Sequence, residues 1–283
     1  MNQIYQVIGI SKQAVSQYAN RQVVFDQKIQ CLMLEAEELR RDHPDCGVAK
    51  MYDTLRPDFI GRDRFVDVFM DLGFRLKRKK NYRRTTYSCS VYYQNMIKGM
   101  KVYAPSMIWQ TDITYIGIGE KFYYAVFIID VYTKKIVGYR VSNHMRATAN
   151  MGAMEMALKE NKAPSIHHSD RGSQYIYKEY ITLLKENDCK ISMALSAQDN
   201  AYAERINRTI KEEYLDYWKP KTFEELKKHV DKAIYNYNNK RPHDNIGKLS
   251  PVDFENKWLN NQLNPKPIFT IFDNEKLIKT GQH

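Results

Sequence analysis

Three acidic residues, Asp112, Asp170 and Glu204, stand where carboxylates could take part in chemistry. Asp112 lies inside an apolar run, where an unpaired carboxylate is costly to bury and needs a cation or a hydrogen-bond network. Asp170 follows a short apolar segment, and Glu204 stands near the start of a predicted helix. Carboxylates that share one site repel one another unless cations are present, and their hard oxygen atoms suit Mg²⁺ or Mn²⁺. These residue types indicate a divalent-metal site, provided that the fold brings them together.

Each acidic residue also has an ordinary structural explanation when it is considered alone. Asp112 could belong to a structural hydrogen-bond network, and Asp170 could be a turn residue. Glu204 could favourably face a helix N-terminus and pair with Arg208 one turn later. The chemical interpretation therefore depends on what surrounds the three residues and on the elements that position them.

The elements around the acidic residues predict an α/β fold, with a mixed sheet and helices packed against it. Segments rich in β-branched and aromatic residues predict strands over 108–118, 122–131, 136–141, 165–168 and 190–195. Helical periodicity is found over 147–159, 175–186, 201–218 and 223–237. The order β-β-β-α-β-α-β-α begins with a three-stranded meander.

The first hundred residues predict a small helical bundle with helix-turn-helix-like spacing. Ser11 is placed to cap a helix whose inner face would hold Ala14, Val15 and Tyr18. Further helices are predicted over 25–39, 48–55 and 65–72. Gly73 can end the last of them in a left-handed conformation.

A dense positive segment follows the predicted bundle, with no acidic residue inside it. Its basic residues are Arg75, Lys77, Arg78, Lys79, Lys80, Arg83 and Arg84. A run of charge is usually no more than a solvated surface. Here the chain as a whole has 44 basic and 33 acidic residues, a formal net charge of +11, which together with the helix-turn-helix-like spacing favours binding to phosphate backbones. We expect the residues up to Pro105 to form a linker.

Composition excludes several other classes of protein. The longest uninterrupted apolar stretch, 125–129, is far shorter than the roughly 18 residues that would span a membrane. The first ten residues do not have the pattern of a signal peptide, so a cytoplasmic, nucleoid-associated protein without a membrane partner is expected. The cysteines are scattered and do not form a zinc-binding or redox pattern; they are Cys31, Cys46, Cys89 and Cys189.

The sequence motifs around the acidic residues resemble a known pattern when they are taken together. Residues 109–114 (WQTDIT), 168–175 (HSDRGSQY) and 199–204 (DNAYAE) resemble the three acidic motifs of DDE transposases and retroviral-type integrases. More narrowly, they are similar to the second reading frame of the insertion-sequence-three family. Residues 237–243 (YNNKRPH) and 249–254 (LSPVDF) resemble that family's closing motifs, and the similarity extends over about 44–254.

This resemblance implies a ribonuclease-H-like integrase core in which Asp112, Asp170 and Glu204 converge as catalytic residues and as ligands of two Mg²⁺ or Mn²⁺ ions. Two ions about 4 Å apart can activate a water or a DNA 3′-hydroxyl and stabilise the leaving oxygen. The implied function is a DNA transposase that cleaves at the ends of an insertion sequence and transfers the strand to a target, without a covalent protein intermediate. Tyrosine and serine recombinases differ in this last respect.

Several further residues are candidates for DNA contact. Arg208 and Lys211 lie on nearly the same face of the helix after Glu204, where they could meet phosphates. Asn200 could position the loop or DNA, and Arg241 of the closing motif could do the same. Arg205 stands where the family commonly has Ser, so that contact with DNA and pairing with an acid both stay open. A second departure is the slightly short interval between the second and third acidic residues.

The histidines beside Asp170 are not expected to bind one metal ion together. Neighbouring strand residues point to opposite faces of a sheet, and His167 and His168 are neighbours. We interpret His168 as support for the loop that carries Asp170.

The expected organisation is a helical helix-turn-helix-type DNA-binding region with its basic extension over 1–104, an integrase-like catalytic core over 105–255 and a tail over 256–283. The resemblance implies double-stranded DNA as partner, both the terminal repeats and the target, a homo-oligomer on DNA and a product of an upstream reading frame. One alternative is a catalytically silent DNA-binding regulator, or the downstream fragment of a fused transposase. Another is a ribonuclease-H-type hydrolase, which the basic N-terminal region and the closing motifs disfavour.

Overall fold

The computed structural model describes residues 11–76, 93–144 and 146–271. The chain forms two compact units, Met1–Leu76 and Lys77–His283. In the described residues, no helix combines the length and the apolar composition that crossing a membrane requires.

The first unit is built from helices around an aromatic core. They are α1 (Lys12–Asp42), α2 (Val48–Leu55) and α3 (Arg62–Phe69), which continues into a π-helical turn, Met70–Phe74. Ser11 begins α1 as predicted, because its hydroxyl accepts a hydrogen bond of 3.0 Å from the Ala14 amide. Gly73, with φ at 90°, ends the last turn.

Two expectations for this unit are wrong. The helix that Ser11 caps does not stop before Phe25 but runs on to Asp42, since no glycine or proline interrupts it. Its predicted inner face is exposed, since the exposed fraction of Val15 is 39% and that of Tyr18 is 65%. Side chains of this helix are buried only from Ile29 onward. The first helix and the turn of the helix-turn-helix-like spacing fall in residues 1–10, outside the described residues, so that spacing stays a prediction.

The last predicted helix also differs in its detail. Leu72 is 42% exposed instead of lining the core, and Phe74 is buried in its place. The π-helical turn explains the difference, because it changes the angular spacing of the side chains after Phe69.

The second unit contains a five-stranded sheet in the order β4-β3-β2-β5-β6. Its strands are β2 (Ile108–Ile118), β3 (Lys121–Asp130), β4 (Ile136–Ser142), β5 (Ile166–Ser169) and β6 (Lys190–Met193). The first three form the predicted antiparallel meander, whereas β5 and β6 run parallel to β2. The mixed sheet of the α/β prediction is thus confirmed.

Helices cover both faces of this sheet. They are α4 (Ala147–Glu160), α5 (Lys178–Glu186), α6 (Ala201–Ile210), α7 (Asp216–Trp218), α8 (Phe223–Asn239) and α9 (Pro251–Leu259), and a π-helical turn, Lys211–Leu215, joins α6 to α7. Along β3, Val126 and Ile128 pack in the core with α4 and α5, and Phe127 and Ile129 in the core with α6 and α8. Gly138 of β4 permits close approach of α4, since a Cβ atom there would overlap the backbone of that helix.

The expectation of a linker up to Pro105 is wrong for its described part. Strand β1 (Lys101–Val102) pairs antiparallel with β7 (Phe269–Thr270), which lies in the expected tail. Ile97 and Val102 are fully buried and pack in one cluster with Phe254 and Ile271. The pattern was missed because each strand has only two residues and its partner is far away in the chain.

Candidate active site

The sheet places Asp112 and Asp170 beside each other. Strands β2 and β5 are parallel neighbours, and Thr111 of β2 pairs with Ser169, the last residue of β5. Asp112 directly follows Thr111, and Asp170 directly follows Ser169. Asp112, which lies within β2, is therefore beside Asp170 at the edge of the sheet where β5 ends.

Helix α6 brings Glu204 to this edge. The helix packs against β2 and β3, with Ala203, Ile206 and Ile210 buried on its inner side. Glu204 is partly buried in the first turn of the helix. The amphipathic spacing of α6 thus presents the third carboxylate beside the strand that carries Asp112.

Asp112 is held by two hydrogen bonds in a partly buried position. Its Oδ1 accepts from the Ile113 amide at 2.9 Å, and its Oδ2 accepts from the side-chain amide of Asn207 at 2.8 Å. Burial, followed by the charges of Asp170 and Glu204, raises the pKa of the Asp112 carboxyl to about 8, although the two hydrogen bonds oppose the shift. The three acidic residues therefore interact electrostatically.

The other members of the site show the same coupling. Burial raises the pKa of Glu204, with Arg208 opposing the shift and Asp170 adding to it. Burial also raises the pKa of the Tyr175 phenol well above its usual value, and the charges of Asp170 and Asp112 add to that effect. Asp170 itself accepts a hydrogen bond of 3.0 Å from the Gly172 amide, which shapes its turn.

The donor set fits a divalent cation. Mutually repelling carboxylates, one of them with its pKa raised to about 8, are stabilised when a cation neutralises them. In the part of the chain that the structure describes, however, no three acidic, histidine or cysteine side chains already stand in a metal-holding arrangement. Each carboxylate oxygen of Asp112 accepts one hydrogen bond and keeps a further lone pair with which it could bind a cation.

Two of the predicted DNA-contact residues are instead buried. Asn200 is 2% exposed, and its amide donates to the Thr111 carbonyl at 2.9 Å, which fixes the loop to β2. Arg241 is 6% exposed, and its guanidinium forms two hydrogen bonds of 2.6 Å with the Glu213 carboxylate. Neither side chain can reach DNA in this arrangement, because both are buried against other parts of the protein.

The remaining candidates differ in their exposure. Arg205 and Arg208 are exposed on α6, and the charge of Arg208 acts on Glu204. Lys211 is partly buried: its ammonium group donates to the Thr114 hydroxyl at 3.3 Å and lies 5.1 Å from the centre of the Tyr115 ring. The basic residues Lys77, Arg78, Lys79, Lys80, Arg83 and Arg84 lie outside the described residues.

The histidines beside Asp170 have structural partners. His167 Nε2 lies 2.9 Å from the Tyr180 hydroxyl, and His168 Nδ1 lies 2.9 Å from the Ser192 hydroxyl on β6. The His168 side chain thus links β5 to β6, and its support for the Asp170 loop stays a prediction.

Gln110 and Asn207 were not recognised as site residues in the sequence. Gln110 stands two residues before Asp112, on the same face of β2, and Asn207 stands one helical turn after Glu204. These intervals were the available signal, since they place each amide beside a carboxylate.

Comparisons with known proteins agree with the geometry. Models of the integrase core domain family match residues 102–197 and 187–251. The chain is 32% identical over 207 residues to the insertion element IS600 uncharacterized 31 kDa protein of Shigella sonnei, covering 70% of this chain and 76% of that protein. It is 31% identical over 196 residues to the transposase InsF for insertion sequence IS3A of Escherichia coli, covering 66% and 68%. The chain spans 53% and 58% of the length of two other insertion-sequence transposases that it matches.

The fold is also similar to a solved structure. A chain in the simian T-cell lymphotropic virus intasome, solved in complex with PP2A regulatory subunit B56 gamma, superimposes with a TM-score of 0.51 at 14% identity, covering 77% of this chain and 73% of that one. The likeness shows the fold alone. The predicted ribonuclease-H-like, integrase-core architecture is confirmed.

Proposed function

Because the chain belongs to the DDE transposases of insertion sequences, which carry the integrase core, we propose that Asp112, Asp170 and Glu204 are its catalytic residues. In this proposal they hold two Mg²⁺ or Mn²⁺ ions. The reaction is cleavage at the ends of the insertion sequence, followed by transfer of the freed strand to target DNA.

The observation that carries this proposal is the electrostatic coupling of the three carboxylates at one edge of the sheet. Burial and the two acidic neighbours raise the pKa of Asp112, so the site favours a positive ligand over three bare anions. Bound ions would supply activation of the attacking oxygen and stabilisation of the leaving oxygen. The protein's part is to hold the carboxylates in place.

The same site serves both chemical steps. Water attacks the phosphodiester at the end of the element in the first step and leaves a free 3′-hydroxyl. That hydroxyl attacks a target phosphodiester in the second step, a transesterification that exchanges one phosphodiester for another and needs no external energy source. No protein side chain becomes covalently attached to DNA.

Positioning of the DNA falls to basic residues outside the acidic cluster. We assign Arg205 and Arg208, which are exposed on the helix of Glu204, to phosphates near the reacting bond. We assign the segment Lys77–Lys80, with Arg83 and Arg84, to phosphate contacts that position the DNA, and the N-terminal helical region to the terminal repeats. Because two element ends must be brought together, we propose that the chain acts as a homo-oligomer on DNA, with the product of an upstream reading frame as a further partner.

The decisive experiment compares the protein with its Glu204→Gln variant on labelled DNA that carries the element's own ends, in Mg²⁺ or Mn²⁺. Glu212→Gln is the matched control, since Glu212 is an exposed carboxylate in the same helical segment. We expect metal-dependent cleavage and joining that Glu204→Gln abolishes and Glu212→Gln retains. Binding without chemistry in all three proteins would indicate a fragment that needs the upstream product, and the same result after that product is added would contradict the proposal and indicate a DNA-binding regulator. Cleavage of RNA–DNA hybrids alone would indicate a ribonuclease-H-type hydrolase.

A further inference from the structure

Gln110 is a fully buried polar residue whose side-chain hydrogen bonds go to the start of α6 and to the turn just before it. It is 0% exposed. Its Oε1 accepts from the amides of Tyr202 and Ala203 at 3.1 and 3.4 Å. Its Nε2 donates to the Asp199 carbonyl at 3.4 Å. Burying an amide side chain is tolerated only when its polar atoms are satisfied, and here the partners come from the helix that carries Glu204.

These contacts replace an ordinary helix cap. The first amides of a helix have no partner within the helix, and a side chain at the N-cap position usually accepts from one of them. The N-cap residue of α6, Asn200, makes no such bond. Its amide instead donates to the Thr111 carbonyl at 2.9 Å. The cap is therefore supplied from outside the helix, by the strand that carries Asp112.

The hydrogen bonds of Gln110 and those of Asn200 join the same two elements, β2 and the start of α6. Gln110 and Thr111 immediately precede Asp112 on β2, whereas their partners immediately precede Glu204 on α6. Hydrogen bonds tolerate only a few tenths of an ångström of change in length before they weaken. The start of α6 is thus held against β2 at the level of the two carboxylates.

We infer that Gln110 is a positioning residue, which caps α6 from β2 and thereby sets the separation of Glu204 from Asp112 for binding of the divalent cation. This inference rests on the proposed function for its chemistry, but the cap itself is a property of the fold. Gln110 does not touch the reacting atoms.

The chain offers a matched control for a buried amide that joins a helix to a strand. Asn238 of α8 accepts from the Ile136 amide and donates to the Ile136 carbonyl, both at 2.9 Å. It is buried like Gln110, but it ties α8 to the start of β4, which β3 separates from the strand of Asp112. Loss of Asn238 loosens the fold without changing the cap of α6.

The experiment compares Gln110→Met, Gln110→Glu and Asn238→Leu with the unaltered protein. Hydrogen exchange of residues 201–206 is measured without metal, and thermal stabilisation by added Mg²⁺ is then titrated. We expect Gln110→Met to speed exchange at Tyr202 and Ala203 and to raise the Mg²⁺ midpoint by roughly 10- to 100-fold, as loss of a supporting group around a metal site does. Gln110→Glu retains an acceptor oxygen for the Tyr202 and Ala203 amides, so their exchange should stay closer to that of the unaltered protein than in Gln110→Met.

Two outcomes would overturn the inference. The first is unchanged exchange of the α6 amides in Gln110→Met, which would show that Gln110 is not the cap. The second is an equal rise of the Mg²⁺ midpoint in Asn238→Leu, which would show a general loosening of the fold. Neither readout requires DNA cleavage, so an inactive protein would count against the proposed function while the exchange data still decide the role of Gln110.

Discussion

Asn207 donates a hydrogen bond of 2.8 Å from its side-chain amide to the Asp112 carboxylate. Asn207 lies one turn after Glu204 on α6, so one helix both carries an acidic residue of the site and orients another. The bond favours the ionised form of Asp112, against the combined effects of burial and of the two acidic neighbours on its pKa.

Replacing Asn207 by Leu should therefore weaken catalysis without unfolding the protein. The variant keeps a side chain of similar size but removes the donor to Asp112. We expect single-turnover cleavage to fall roughly 10- to 100-fold, the usual effect of losing a group that orients a metal ligand. Unchanged cleavage at saturating Mg²⁺ and at ten times less Mg²⁺ would contradict this role.

Mg²⁺ should stabilise the folded protein through Asp112. A ligand that binds only the folded state at 100 times its Kd adds about 2.7 kcal/mol to the free energy of unfolding. We expect calorimetry to show a rise in melting temperature with Mg²⁺ for the unaltered protein and none for Asp112→Asn. Without metal, Asp112→Asn should be at least as stable as the unaltered protein, because a carboxylate that two acids repel is removed. Equal stabilisation of both proteins by Mg²⁺ would place the metal site elsewhere.

Arg241 should matter for stability and not for DNA binding. Its pair with Glu213 is largely buried, with side chains 7% and 16% exposed, and breaking such a pair costs about 3–5 kcal/mol. We expect urea unfolding to show this loss for Arg241→Met, and partial recovery when Glu213→Leu is added. The exposed pair between Lys227 and Glu224 is the control, and Lys227→Met should cost less than about 1 kcal/mol. A weaker DNA affinity with unchanged stability would restore Arg241 as a DNA contact.

Acid should destabilise the sheet unit through His167. Burial, followed by the neighbouring His168, lowers the pKa of His167 to about 3, so the unfolded chain binds a proton below about pH 6.5 that the folded chain does not. Its contribution to stability is full above pH 6.5 and is lost as the pH falls toward 3, by about 1.4 kcal/mol per pH unit.

The double variant His167→Phe with Tyr180→Phe removes both members of this hydrogen bond and leaves no unpaired hydroxyl. Its free energy of unfolding should depend less steeply on pH between 4 and 6 than that of the unaltered protein. Equal slopes would mean that the acid sensitivity arises from other groups.

The basic segment should contribute to DNA affinity in a salt-dependent way. Replacing Lys77, Arg78, Lys79 and Lys80 by Ala should lower the slope of log affinity against log salt concentration by about 3 to 4, if each contacts a phosphate. The control replaces exposed lysines elsewhere in the same unit, namely Lys219, Lys221, Lys228 and Lys257. An unchanged slope in the first variant, or the same reduction in both, would refute the assignment.

The sheet and the acidic residues could be predicted because their signals are local. The meander from Ile108 to Ser142 has strands of seven to eleven residues with β-rich composition and short turns. Each of the three acidic motifs is a contiguous stretch of sequence. By contrast, the sequence predicted a DNA contact for Arg241. Its ion-pair partner, Glu213, is 28 residues away, so the neighbouring sequence does not indicate the pair.

The missed features share one physical cause, which is dependence on a distant partner. The β1–β7 pair joins segments too short to show any periodicity. In the sequence Gln110 resembles an ordinary strand residue. Its role depends on the hydrogen bonds from the distant amides of Tyr202 and Ala203. The exposure of Val15 and Tyr18 likewise depends on what packs against α1, and an apolar stripe alone does not contain that information.

The pairing of β1 with β7 has a consequence for how such a protein can be rearranged. Lys101 pairs with Thr270, so the chain enters and leaves the catalytic fold at one point on its surface. A unit whose two ends adjoin can be inserted into a loop of another protein, or exchanged between genes, without stretching its host. The sheet unit from β1 to β7 is in this sense a piece that could be moved between proteins without distorting what surrounds it.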